Sequence, residues 1–237
     1  MDTILDISHH QQVPGSGVVF DFHKALANGA KGCIIRAGSI NSVTGVCYDD
    51  HQWATNSVLG PPVMPCGSYW YFRVKWDAIK QARFYAGLLV DKDMKLPPCL
   101  DFEENELLLS KAKCNEKAKF FVEELESLVG VQPMIYTSKS KWDQFVGVSG
   151  WAHKYKLWVA HYTTAPAPWV PVEWMPDNWT GWQYTDKGDG LAYGAQSKQI
   201  DVSRFKDGFL HVGATLEQRV AALEALHPGG MHLLGMP

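Results

Sequence analysis

Four carboxylates raise the question of chemistry. Asp101 and Glu103 stand two residues apart in LPPCLDFEEN (96–105), where an apolar run and two prolines end in acid. On an extended strand such a pair shares one face, about 6.5 to 7 Å apart along the backbone. That spacing suits acid chemistry on a sugar, or a metal ion; a solvated strand end has the same look. Asp6, in TILDIS, and Asp201, in QIDVSRF, lie in two further strand-like runs. Partial burial and mutual repulsion would raise the pKa of at least one member of such a set. A carboxylic acid kept protonated near neutrality is what a leaving alkoxide needs as proton donor. Each acid alone is weak evidence, because a D-x-E triplet arises easily by chance. Convergence of all four at one end of a sheet would make a site.

The elements that must position them follow from apolar patterning. Runs of strand length occur at 3–8, 33–38, 67–72, 97–103, 133–138, 156–162, 181–185 and 199–205. The central ones are nearly continuous apolar runs, as in parallel strands covered on both faces. Between several of them the period changes to helical. In KCNEKAKFFVEELESLV, Ala118, Phe121, Val122, Leu125, Leu128 and Val129 follow i, i+3, i+4 spacing. WDAIKQARFYAGLLV is similar, with Asp77 as its N-cap. Shorter helices are expected near 21–29, 49–57 and 139–146. TTAPAPWVPVEWMPDNW carries too many prolines for a regular helix. Eight strands alternating with helices predict an α/β fold, a modified (β/α)8 TIM-like barrel with irregular later helices. An open doubly wound sheet is the alternative. In a closed barrel the first and last strands are neighbours, so Asp6 and Asp201 approach each other, and strand ends carry the chemistry.

The chain has 237 residues, 46% hydrophobic and 20% charged, with a formal net charge of −3. That balance gives no reason to expect nucleic acid or an anionic membrane as partner. No run is apolar enough to span a membrane, and MDTILDISHHQQ has no basic start followed by an apolar stretch. Cys33, Cys47, Cys66, Cys99 and Cys114 form no C-x-x-C pair, and their odd number argues against a disulfide scaffold. A reducing compartment is expected. No G-x-G-x-x-G or P-loop opens a helix, which weakens any nucleotide reading. His9 and His10 beside the acids raise a metal site, but adjacent residues on an extended backbone point opposite ways. No metal and no cofactor is expected. Domain limits are set at 1–210 for the barrel and 211–237 for a tail. There TLEQRVAALEALH (215–227) opens with a capping box and carries a short heptad seam for weak self-association or attachment.

LDISHHQ, CIIRAG, GSYWYF, LDFEEN, PMIYTS, LWVAHY, GWQYT and QIDVSRF occur in the order seen in glycoside hydrolase family 25 lysozymes. The chain resembles that family over residues 3 to about 206. The ordered set is specific, above all LWVAHY, then GWQYT, then Asp201. The resemblance implies a modified barrel and hydrolysis of the β-1,4 bond between N-acetylmuramic acid and N-acetylglucosamine in bacterial peptidoglycan. It implies Glu103 as general acid, with Asp101, Asp6 and Asp201 completing the site, and it assigns no metal. Tyr69, Tyr136 and Tyr162 match family positions near the cleft. Together with Trp158 and Arg36 they are the expected substrate-binding residues, whereas Trp70 and Trp182 are expected in the core. Arg73 and Lys75, in YWYFRVKW, depart from the family pattern. The expected context is a phage or prophage endolysin, made in the host cytoplasm without a signal peptide and released to the cell wall, or an enzyme carried on a phage particle. Two rival readings remain: a metal-dependent polysaccharide deacetylase or hydrolase, and a non-catalytic cell-wall-binding module.

Overall fold

The computed structural model describes residues 1–13 and 15–211. The expected tail helix at 215–227 lies outside the described residues. Nine strands are present among the described residues: β1 (Asp2–Ile7), β2 (Gly32–Ile40), β3 (Cys47–Asp49), β4 (Cys66–Tyr71), β5 (Cys99–Asp101), β6 (Met134–Ser138), β7 (Lys156–Ala160), β8 (Gly181–Asp189) and β9 (Gln199–Phe205). Eight of them close into a barrel in the order β1-β2-β4-β5-β6-β7-β8-β9, with β9 returning to β1. β3 is a short antiparallel addition on β2, in a stretch expected to begin a helix.

The barrel strands β1, β2 and β4 to β8 run parallel, but β9 is antiparallel to both its neighbours. The last connection is a hairpin rather than a helical crossover. The extended pattern of β8 therefore runs on to Asp189, beyond the expected end at 185. This corrects the route by which Asp201 reaches the site. It stands near the start of a reversed strand, which is the same end of the barrel as the C-termini of the parallel strands.

Among the described residues five α-helices surround part of the barrel: α1 (Phe22–Ala27), α2 (Trp53–Leu59), α3 (Ala78–Leu89), α4 (Lys111–Val129) and α5 (Lys139–Phe145). α3 starts at Asp77, whose carboxylate accepts the Lys80 N–H at 2.7 Å. α4 starts at Ser110 and stops at Gly130, which takes the left-handed conformation (φ 67°) that a side chain would oppose. Between β7 and β8 the chain has a 3-10 turn, Val172–Trp174, in place of a helix, which the prolines exclude.

Strand periodicity splits the apolar residues into two layers. Ile4, Ile34, Cys99, Met134, Tyr136, Trp158 and Phe205 pack together inside the barrel. Leu5, Ile35, Trp70, Leu100, Ile135, Leu157 and Trp182 point outward, into the larger cluster shared with the helices. Trp70 and Trp182 thus sit in the core, as the sequence predicts. All five cysteines are free, and Cys33 and Cys99 are fully buried core residues.

Candidate active site

Inward-facing residues change character along each strand. Ile4 leads to Asp6 on β1, Ile34 to Arg36 on β2, Cys99 to Asp101 on β5 and Met134 to Tyr136 on β6. Two residues is one pleat repeat, so the second set stands above the first in the lumen. Together with Tyr69, Tyr71, Glu103, Trp158, Gln183, Asp201 and His10, the second set lines a cavity of about 220 Å³.

The two pairs of acids are built differently. Asp6 and Asp201 are directly opposite each other across the antiparallel β1–β9 ladder. They share a proton through a side-chain hydrogen bond, and both pKa values are raised, first by burial. Asp6 also feels the Asp201 charge and accepts a hydrogen bond from Gln183 Nε2 at 3.0 Å. Asp101 and Glu103 belong to one chain segment. β5 ends at Asp101 rather than at the expected 103, but Phe102 N–H still donates to the Tyr136 carbonyl at 2.9 Å. Strand alternation therefore persists: Phe102 is buried in the outer layer and Glu103 faces the cavity.

Burial is the largest cause raising both members of this second pair. Asp101 is raised further by Glu103, while Arg36 opposes the rise. Glu103 is raised less far, because its hydrogen bond with Asp101 and the nearby Lys141 ammonium favour its ionised form. The Asp101 carboxyl is thus the more strongly raised of the two. Asp101 Oδ1 is buried and has no hydrogen-bond partner among the described residues.

The expected ligand-binding residues fall into three positions. Tyr69 and Tyr136 are in the lumen, with phenols that burial keeps protonated. Tyr162 stands half-exposed at the rim. Trp158 is buried between Tyr136 and Phe205, and its indole N–H donates to Ser203 Oγ at 3.0 Å. It offers the cavity a ring surface and no free donor. Arg36 also lines the cavity, and its guanidinium lies 5.1 Å from the Tyr71 ring centre. The nearest acid to its Nε is Asp50, at 4.0 Å, rather than Asp6.

Sequence reasoning missed Gln183, although it stands in the quoted GWQYT. Its Oε1 accepts from Tyr136 Oη at 2.7 Å and Tyr162 Oη at 2.8 Å, while its amide N–H holds Asp6. One buried amide thus ties two phenols to a carboxyl. The signal was its lumen parity near the start of β8. The histidine pair also differs from expectation. His9 and His10 form a 3-10 turn, not an extended segment, with ring centres 3.9 Å apart. His9 Nδ1 is engaged by Asp50 Oδ2 at 2.6 Å. Among the described residues no three His, Cys, Asp or Glu side chains are grouped to hold a metal ion. Arg73 bonds Glu104 at 2.9 Å and also Glu106, in an open groove that runs on from Glu103. Lys75 donates to the Ser42 carbonyl at 2.6 Å.

A barrel mouth with two proton-sharing carboxyl pairs, ringed by phenols, can donate a proton to a leaving oxygen and hold polar sugar substituents. Comparison with known proteins agrees with that chemistry. The family model described as "Glycosyl hydrolases family 25" matches residues 5–191. The bacterial lysozyme of Streptomyces coelicolor superposes with a TM-score of 0.74 at 23% identity, covering 90% of this chain and 96% of its own. A family 25 glycosyl hydrolase from Bacillus anthracis gives 0.70 at 20% identity, with 90% and 94% covered. The CTP1L endolysin gives 0.69 at 21%, with 89% and 68% covered. At these identities the likeness speaks for the fold. No curated protein sequence matches the chain.

Proposed function

The chain belongs to glycosyl hydrolases family 25, and from that premise we propose that it is a muramidase. It hydrolyses the β-1,4 bond between N-acetylmuramic acid and N-acetylglucosamine in bacterial peptidoglycan, with Glu103 as general acid. The observation that carries the reading is the Asp101–Glu103 pair: two raised carboxyls sharing a proton, both lining the lumen cavity.

The steps follow from the charges. Arg36 favours an ionised Asp101. A substrate acetamide N–H donating to Asp101, whose Oδ1 lacks a partner, favours the same form. The shared proton then moves to Glu103. Glu103 passes it to the glycosidic oxygen as the C1–O bond breaks through an oxocarbenium-like transition state. The acetamide oxygen of the muramic acid attacks its own C1, giving a cyclic intermediate whose charge Asp101 stabilises. Glu103, now ionised, takes a proton from the water that opens this ring. One water is consumed and Glu103 ends protonated. Asp6, Asp201 and Gln183 hold the opposite wall and set the field. Tyr69, Tyr136, Tyr162, Trp158 and Arg36 contact the sugars.

The proposal includes action on the bacterial cell wall as a phage or prophage endolysin, the kind of enzyme that one similar structure is named as. No helix among the described residues is long and apolar enough to cross a membrane.

Analysis of the products from purified peptidoglycan tests the reading. The reducing ends are labelled with borohydride and identified by mass spectrometry, with and without EDTA. New muramic acid ends, insensitive to EDTA, are expected. Acetate release without chain cleavage, lost on chelation, would instead establish the deacetylase. Saccharide binding without any product would leave a wall-binding module.

A further inference from the structure

The chain has ten tryptophans, and nine of them are buried or half-buried. Trp169 is 68% exposed. A single exposed apolar side chain is ordinary; what distinguishes Trp169 is how firmly it is held and where. Its ring stacks on His161 with centroids 5.0 Å apart and planes 25° from parallel. Its backbone N–H donates to His161 Nδ1 at 3.1 Å. Pro168 precedes it and restricts the backbone. Val170, which follows it, and Trp174 are buried, so the loop is pinned to the core immediately beyond the exposed ring. One indole face is thus backed by an imidazole and the other is presented to solvent, with little freedom left to lose on binding.

The location ties this ring to the mouth. His161 directly follows the last residue of β7, and its N–H continues the ladder to the Gln183 carbonyl at 3.0 Å. The next residue, Tyr162, reaches inward to Gln183 Oε1. Side chains alternate at a strand end, so Tyr162 faces the cavity and His161, with Trp169 on it, stands on the rim just outside. A pyranose presents an apolar C–H face that a flat aromatic ring covers.

We propose that Trp169, backed by His161, is an outer saccharide platform that stacks on a sugar of the same glycan strand beyond those held in the pocket. The proposal rests on the muramidase reading above. It makes the enzyme favour long strands over short fragments, because only a long strand reaches both the pocket and the rim.

The test compares kcat/KM on long uncross-linked glycan strands with kcat/KM on the shortest muropeptide the enzyme cleaves. Trp169→Ala is expected to reduce the long-to-short ratio about five- to tenfold, and Trp169→Phe, which keeps a flat ring, to keep most of it. An unchanged ratio in Trp169→Ala would overturn the platform, as would an equal loss on both substrates. A second measurement needs no turnover. Binding of the long strands to Glu103→Gln, with and without Trp169→Ala, should weaken by a similar factor. If wild type cleaves neither substrate, the muramidase reading fails, and this binding comparison alone decides the platform: equal affinities sink it.

Discussion

Ile4, Ile34, Cys99 and Met134 face the barrel lumen, and so do Asp6, Arg36, Asp101 and Tyr136, two residues further along the same four strands. The first set is a dry floor closed by Phe205, whose ring meets Trp158 and Phe209. The second is a polar mouth in which Asp6 and Asp101 are buried, Glu103 and Asp201 are half-buried, and every one has a raised pKa. Backbone geometry and parity are the same in both, so the difference lies in residue type alone. The floor gains stability from burial. The mouth gives some of it up, because carboxyls are held where water would serve them better.

That contrast is best broken by substitutions that are conservative in shape. Glu103→Gln should have the largest effect, a loss of about 10²–10⁴ in kcat, the usual worth of a general acid. Its unfolding temperature should stay level or rise, since a raised carboxyl is neutralised. Phe205→Ala should do the opposite. It should cost about 3–5 kcal/mol of stability, the range for emptying an aromatic site, measured by denaturant unfolding. The KM of the molecules that remain folded should hardly move. A floor variant that lost activity without losing stability would erase the distinction.

Asp6→Asn probes the cost of the mouth. Burial and Asp201 raise Asp6 above its ordinary 3.8 in the folded protein. Between 3.8 and the folded value, the folded protein holds a proton that the unfolded chain has released. Stability from this group is therefore greatest below 3.8 and falls as pH rises through the window. Asparagine can still accept from Gln183 and donate to Asp201. The variant should be more stable than wild type near neutrality, and the difference should shrink toward zero in acid. Thermal unfolding across pH reads both. The smallest effect belongs to the outer surface. Breaking the exposed Lys119–Glu123 pair on α4 with Lys119→Ala should change stability by less than about 0.5 kcal/mol and leave turnover alone.

Much of this architecture was legible in the sequence because it rests on period. Alternation along TILDIS, CIIRAG and PMIYTS fixed which residues share the lumen, and the 3.6-residue spacing marked α3 and α4. The reversal of β9 was not legible. Parity is the same for parallel and antiparallel strands, and nothing local in QIDVSRF tells its direction. β3 was hidden for another reason: three residues of CYD carry too short a pattern, and β2 supplies all their pairing. The four acids could be named from type and position. The amide that organises them could not, since the role of Gln183 comes from contacts to Asp6, Tyr136 and Tyr162 on three other segments. Asp50 was passed over likewise, because its partners His9 and Arg36 are brought to it only by folding.

The most direct test of the central claim is kcat/KM on peptidoglycan as a function of pH, for wild type and Glu103→Gln, with thermal unfolding recorded on the same preparations. A general acid works while protonated, and burial raises Glu103 above its ordinary 4.5. Wild-type activity should therefore persist above pH 4.5 and fall on the alkaline side. The variant should lose at least about a hundredfold at every pH while remaining folded. A folded variant that kept a tenth or more of wild-type activity, with the same alkaline limb, would contradict the assignment of Glu103 and move the proton donor elsewhere in the mouth.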